Sequence, residues 1–182
     1  DIDEKSLREQ GHWPWPRWKL SDMLNKLAEM QVAVVGFDVV FAENEVNPAV
    51  ELSRFLDDIP GHYDGQLIGG LNELAPSVNP DEVFATSVSA SPVVLGYLFS
   101  SDTDVPVGML PASLDLKDVP ELPLLERKSF VANLDELQSV ALGGGFFSVQ
   151  PDGDGVIRRA PLIARHKGQL YPSLSLEVAR VY

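Results

Sequence analysis

The chain has no cysteine among its 182 residues. That excludes disulfides, zinc–thiolate sites and a thiol nucleophile. It also fits an oxidising compartment, where stray thiols are a hazard. Positive charge is scarce: 14 Lys and Arg stand against 27 Asp and Glu, a formal net charge of -13. A phosphate backbone would be repelled, so nucleic acid is not expected as a partner. The shortage is also local. No Lys or Arg lies between Phe55 and Leu116, whereas Asp57, Asp58, Asp64, Glu73, Asp81, Glu82, Asp102, Asp104 and Asp115 do. Such a stretch reads as a solvated acidic face, or as a surface that meets cations and keeps off anionic lipid.

Long apolar runs are missing as well. Nothing approaches the roughly 20 residues of a membrane span, and no signal peptide is visible. The chain opens on charge, "DIDEKSL", with neither Met nor an apolar lead-in. It therefore reads as a segment of a longer protein whose flanks carry the localisation signal. Catalytic signatures are absent too. His12, His62 and His166 fall in predicted loops without metalloprotease spacing. Neither a nucleophile elbow nor a phosphate-binding loop occurs, and no cofactor is implied.

What remains is ordinary globular material, 45% hydrophobic and 23% charged, of a length that most often means one domain. The expected domain is 1–182. Leu20, Met23, Leu24, Leu27 and Ala28 share one face of a helix predicted over Pro16 to Gln31. "VAVVGFDVVF", Val32 to Phe41, reads as a strand covered on both faces. Helices are expected over Pro48 to Asp58 and Asn79 to Ala90, the latter with Asn79 as cap and Pro80 just inside. "QLIGGL" reads as a short strand and Val93 to Phe99 as another strand. Ser100 to Lys128, with four prolines, is expected to be an irregular and functional loop. Phe146 to Val149 is expected to pair with Val156 to Ala164 across "PDGDG". "HKG" then turns into a short strand before a helix starting near Pro172 or Ser173. "DIDEK" would be the tail of an earlier strand. The predicted fold class is α/β: a central mixed sheet flanked by helices, then an antiparallel β-meander and a last helix.

On that layout Asp3 lies just past the C-terminal end of the first strand and Asp38 towards the C-terminal end of the second, near the crevice where open α/β sheets bind ligands. Two carboxylates there could hold a divalent cation, with Asp152 or Asp154 joining from the turn. The alternative is structural: Asp3 caps a helix or turn, and Asp38 pairs with Arg17. "DGDG" lacks the later ligands of an EF-hand, so it reads as a tight turn. Of Arg158 and Arg159, adjacent on a strand, only one can face the crevice. That one could pair with Asp38, Asp3 or an anion. Gly143 to Gly145 are expected to permit unusual backbone ahead of a strand.

All three Trp lie within "GHWPWPRWKL". Each Pro stiffens the residue before it, so Trp13 and Trp15 are held extended and Pro16-Arg17 opens the helix. The motif reads as a rigid lid, with Trp15 buried, Trp18 exposed and Arg17 turned towards Asp3 or Asp38. The alternative is an aromatic pocket wall with Arg17 as an anion hook.

"IDEKSLREQGHWPWPR", "VVGFDVVFAE", "VQPDGDGVIRRAPL" and "YPSLSLEVAR", in that order, together resemble the CHASE2 domain. The resemblance spans almost the whole chain. It implies an extracytoplasmic, periplasmic sensor of a bacterial inner-membrane receptor, flanked by transmembrane helices. The outputs of such receptors include histidine kinases and nucleotide cyclases. It implies no enzymatic activity for the domain itself. Candidate ligand-binding residues are Asp3, Trp13, Trp15, Arg17, Asp38, Asp152 and Arg158. The signal is a small molecule or a periplasmic protein, and a homodimer is left open. One alternative is an interaction module using the proline-rich loop and the acidic middle. Another is a metal-dependent hydrolase using Asp3, Asp38 and Asp152.

Overall fold

The computed structural model describes residues 3–59, 65–100, 105–115, 124–149 and 151–182. The chain begins with helices α1 (Glu4–Gln10) and α2 (Arg17–Glu29), then strand β1 (Val35–Phe37). Helices α3 (Pro48–Asp57), α4 (Gly65–Leu74) and α5 (Pro80–Ser89) lead to the long central strand β2 (Val93–Ser100). Short strands β3 (Leu125–Arg127) and β4 (Ser129–Val131), helix α6 (Asp135–Gln138) and strand β5 (Gly143–Phe146) follow. The hairpin β6 (Ile163–His166) and β7 (Gln169–Pro172) precedes the last helix, α7 (Leu174–Val181).

β2 organises the main sheet. β1 runs parallel to it with Val35 opposite Val93 and Phe37 opposite Leu95. β5 is also parallel, with Val94 opposite Gly143 and Tyr97 opposite Phe146. β4 joins antiparallel at the far end, Ser100 opposite Ser129. A second mixed sheet has the order β3-β6-β7. The α/β class with mixed sheets is therefore as expected.

The apolar run of β2 is explained by layers on both faces. Val93 and Leu95 pack with Leu20 and Leu24 of α2, Phe84 and Val88 of α5, and Phe37 and Phe41. Tyr97 and Phe99 continue into a second cluster with Phe146, Ala164 and Tyr171. The other face carries α7. There the sheet is built of glycine: a Cβ on Gly145 would lie 2.5 Å from the Leu174 Cα, and one on Gly36 2.9 Å from the Val178 side chain. α7 can rest its backbone on the sheet only because these side chains are missing.

Several expectations are corrected. Asp3 begins no strand tail; it caps α1, accepting hydrogen bonds from the Ser6 N–H (2.8 Å) and hydroxyl (2.9 Å). Those two bonds hold its carboxyl below the usual value. The predicted strand Val32 to Phe41 is ordered into a ladder only at Val35–Phe37, because the backbone then leaves the sheet to reach side chains elsewhere. "QLIGGL" is helical, within α4; its Leu67, Ile68, Leu71 and Leu74 have helical rather than alternating spacing. Gly143 to Gly145 lie in β5 itself, and close approach of α7, not unusual dihedrals, explains two of them. Phe146 to Val149 does not pair with Val156 to Ala164; β5 pairs with β2, and β6 pairs with β7. The "HKG" turn is as read: Lys167 (φ 49) and Gly168 (φ 78) supply the two positive φ angles of a tight hairpin. Of the loop from Ser100 to Lys128, residues 101–104 and 116–123 lie outside the described ones. Its described part includes β3 and bridges Val107 to Val131 and Leu114 to Leu170.

Candidate functional site

The tryptophan motif ends in a buried clamp. Arg17 is the first residue of α2 and almost fully buried. Its Nε donates to Asp81 Oδ1 at 2.8 Å and its Nη2 to the Glu43 carbonyl at 3.0 Å. Its guanidinium carbon stands 4.6 Å from the centroid of the Phe41 ring, a cation–π contact. Its backbone N–H donates to Glu45 Oε2 at 2.5 Å. Asp81, fully buried in the first turn of α5, accepts on its other oxygen from the Glu45 N–H (2.8 Å) and the Asn44 Nδ2 (3.3 Å). A buried ion pair persists only if its polar atoms find partners; here both Asp81 oxygens and the Arg17 Nε and Nη2 do. The result ties the starts of α2 and α5 to the segment after β1.

Arg17 therefore pairs with neither Asp3 nor Asp38, as the sequence suggested, but with Asp81. The geometry also explains the early end of β1: residues 43–45 turn away to meet this clamp. The sequence offered one clue, since Asn79-Pro80-Asp81 puts an acid in a first helical turn. Nearby, burial pushes the Glu136 carboxyl above its ordinary value; Asp81, Glu82 and Asp135 add to this and Arg17 opposes it.

The tryptophans themselves form a cover. The Trp13–Pro14 bond is cis. Trp13 and Trp15 meet edge to face, 5.8 Å between centroids. The Trp15 Nε1 donates to the Gly11 carbonyl at 3.0 Å, and the half-buried ring packs against the α2–α5 core. Trp13 is 38% and Trp18 54% exposed. Trp15 thus seats less deeply than expected, while Trp18 is exposed as expected. Between this cover and residues 40–45 lies a cleft of about 510 Å³ that includes Arg17. With the guanidinium held by Asp81 and the Glu43 carbonyl, Arg17 is poorly placed to act as an anion hook there.

A second cleft, about 480 Å³, opens on the α7 face past the carboxyl ends of β1 and β5. Gly36 and Asp38 form one side, Phe147 and Val149 another, and Leu174, Ser175 and Val178 of α7 a third. Asp38 is exposed. Among the described residues its carboxylate has no hydrogen-bonding or ionic partner.

Asp152 and Arg158 sit elsewhere. The "PDGDG" segment is the tight turn that was read, closed by the Asp152 N–H to the Val156 carbonyl (3.0 Å), with Gly155 at φ 82. Arg158 bridges Asp152 (3.3 Å) and Asp154 (2.8 Å), and Arg159 reaches Asp152 at 3.6 Å. Arg158 holds the Asp154 carboxyl below its usual value, helped by the Val156 N–H. So Arg158 pairs within its own turn and not with Asp38 or Asp3. Both arginines are exposed because this segment is not a strand and has no inward face. The seven candidate residues do not form one site: Trp15 and Arg17 line one cleft and Asp38 the other, and Asp3, Trp13, Asp152 and Arg158 line neither. Among the described residues no group of three or more acids or histidines could hold a metal ion. The three-carboxylate hydrolase arrangement of Asp3, Asp38 and Asp152 is thereby overturned.

The fold defines an α/β domain with clefts beyond the carboxyl ends of its parallel strands, where such sheets hold ligands. The CHASE2 domain model matches residues 1–182, the whole chain, and the chain belongs to that family. CHASE2 is an extracytoplasmic sensory domain of receptors, sensory rather than catalytic. No curated protein and no solved structure matches the chain. Among the described residues no helix is long and apolar enough to cross a membrane.

Proposed function

We propose that this domain is the periplasmic input module of an inner-membrane receptor of the histidine kinase or nucleotide cyclase type. It binds a small molecule in the strand-end cleft beside α7, and flanking transmembrane helices carry the change inward. The observation behind this reading is the position of α7. Its first turn lines the 480 Å³ cleft, and the same helix lies on glycines of β1 and β5. A ligand that fits the cleft better in one seating of α7 shifts the balance between seatings by its differential affinity.

The test is thermal unfolding of the chain against a panel of metabolites, anions and divalent cations, with amide exchange of α7 followed on every hit. A ligand at a hundredfold its Kd stabilises by about 2.7 kcal/mol, which is several degrees for a domain of this size, at roughly 2–4 °C per kcal/mol. Protection or exposure of α7 amides on binding supports the reading; a stabilising ligand that leaves α7 unchanged overturns it.

A second reading, a module that docks a periplasmic protein, draws support from the α3–α4 hairpin. Leu52 and Phe55 of α3 and Leu67 and Leu74 of α4, two helices packed on each other, are exposed there, and exposed apolar surface of this kind marks interaction sites. Phe55→Asp would then abolish partner capture and leave ligand-induced stabilisation intact.

A further inference from the structure

The geometry points to an organic cation as the occupant of the α7 cleft: a protonated amine carrying an apolar body. This rests on the reading of that cleft as the input site and deepens it by naming the ligand class.

The argument starts from charge. Among the described residues that line the cleft, Asp38 is the only ionisable one. Several other acids in the fold have been given cations or donors, whereas Asp38 is set apart by standing in this cleft. Asp81 holds Arg17, Asp152 and Asp154 hold Arg158, and Glu177 holds Arg180 through two bonds of 2.8 and 2.7 Å. Asp38 has no such partner among the described residues. It stands at the end of β1, and Arg17, the cation the sequence offered it, is committed to Asp81.

The rest of the wall is mainly apolar: Phe147, Pro161, Leu174 and Val178 line it, and Ser148, Ser173 and Ser175 are its uncharged polar residues. The volume, about 480 Å³, lies within the range of roughly 300–1,000 Å³ typical of small-molecule sites. An apolar body gains by leaving water for these walls. Its polar end decides the class. A carboxylate or phosphate would meet Asp38 charge against charge. A neutral body would cover the carboxylate without offering it a counter-ion, which costs free energy. An ammonium supplies the missing donor and charge together, and charge-assisted hydrogen bonds are the stronger kind. The chain's net charge of -13 also raises the local concentration of cations.

The experiment is isothermal titration of the 182-residue chain with four probes: phenethylamine, phenethyl alcohol, phenylpropionate and methylamine. Phenethylamine is expected to bind saturably. The alcohol and the carboxylate, which keep the ring but lose the cation, should bind at least about tenfold more weakly, the worth of one charge-assisted hydrogen bond. Methylamine carries the charge without the body. Equal binding of methylamine would mean general attraction of cations to an acidic protein and would overturn the proposal. Asp38→Asn should weaken phenethylamine by at least about tenfold while leaving Tm unmoved, since the side chain is exposed and unpartnered. Ala160→Trp, from an exposed position on the wall, should block the cleft and abolish binding without unfolding the chain. Absence of saturable amine binding, equal binding of the analogues, or full binding in Asp38→Asn each refutes the assignment. Amide exchange of α7 in the same titration separates the two readings. Asp38-dependent amine binding with α7 unmoved would keep the ligand class and remove the relay. A ligand of another charge that protects α7 would do the reverse.

Discussion

Replacing Arg17 by Ala should damage the fold before it affects any ligand. Four elements of the clamp depend on that side chain: the Nε bond to Asp81, the Nη2 bond to the Glu43 carbonyl, the stack on Phe41, and through these the course of residues 43–45. Asp81 is fully buried and would keep two donors, the Glu45 N–H and Asn44, but lose its only cation. Breaking a buried ion pair from one side costs about 3–5 kcal/mol. For a domain of this size that lowers Tm by roughly 2–4 °C per kcal/mol, or about 6–20 °C in all. The partner change Asp81→Ala should cost about as much, because it strands the guanidinium and the Glu45 N–H. In the double variant neither charge is left buried alone, so its loss should be smaller than the sum by about 1 kcal/mol or more. Urea unfolding of the wild type, both single variants and the double variant closes this cycle. A loss under about 1 kcal/mol for Arg17→Ala, in the range of an exposed ion pair, would refute the clamp and return Arg17 to the list of ligand contacts.

Tyr97 is fully buried and its hydroxyl has no hydrogen-bond partner among the described residues; Tyr97→Phe should stabilise by about 1 kcal/mol, since an unmade buried bond carries a desolvation penalty, read as a higher urea midpoint. Gly145→Ala puts a Cβ against the Leu174 backbone; overpacking of this kind costs about 1–3 kcal/mol, and the disturbance should appear first as faster amide exchange in α7. Burial, with Asp81, Glu82 and Asp135 nearby, raises the Glu136 carboxyl above its unfolded value. The folded state then binds the proton more tightly, so the group's contribution to stability falls as pH rises from the ordinary carboxylate range through the raised value. Glu136→Gln should therefore raise Tm at neutral pH, with the gain vanishing in acid.

The regular parts of this fold were legible because local chemistry dictates them. Asn47-Pro48 and Asn79-Pro80 mark helix starts that the structure keeps, each with the Asn side chain accepting from the first turn. The apolar run Val93 to Phe99 announced β2; its Val93, Leu95, Tyr97 and Phe99 enter the two core clusters, and α7 lies on the opposite face of the sheet. What the sequence could not supply is pairing between distant segments. Arg17 and Asp81 lie 64 residues apart, and nothing local distinguishes Asp81 from the other acids of a stretch without Lys or Arg. The same holds for β5. "GGGFF" has too little side chain to announce a strand, because its partner is the backbone of α7. Gly143, Gly144 and Gly145 show their meaning only once α7 and the Pro111 loop are set against them. Asp38 was singled out by its place at a strand end; that it has no partner followed only from seeing Arg17 taken.

The short strand β1 gives the two clefts a common wall. Gly36 and Asp38 line the one beside α7, and residues 40–45, immediately beyond, line the one beneath Trp15. Between them Phe37 and Phe41 are fixed in the core, meeting each other and Phe84 edge to face at 5.1–6.0 Å. Arg17 and Asp81 fix the far end of this segment by bonding to Glu43, Asn44 and Glu45. The tryptophan motif therefore need not touch a ligand to matter for sensing. By holding residues 43–45 it sets where β1 leaves the sheet, and so where Asp38 stands relative to α7. A close-packed interior passes displacement through such contacts rather than absorbing it. On the other side of Asp38, α7 is tied to the sheet at its start by the Phe146–Ser173 bridge and the Ser173 N–H to the Leu162 carbonyl (2.7 Å), and rests beyond that on glycines.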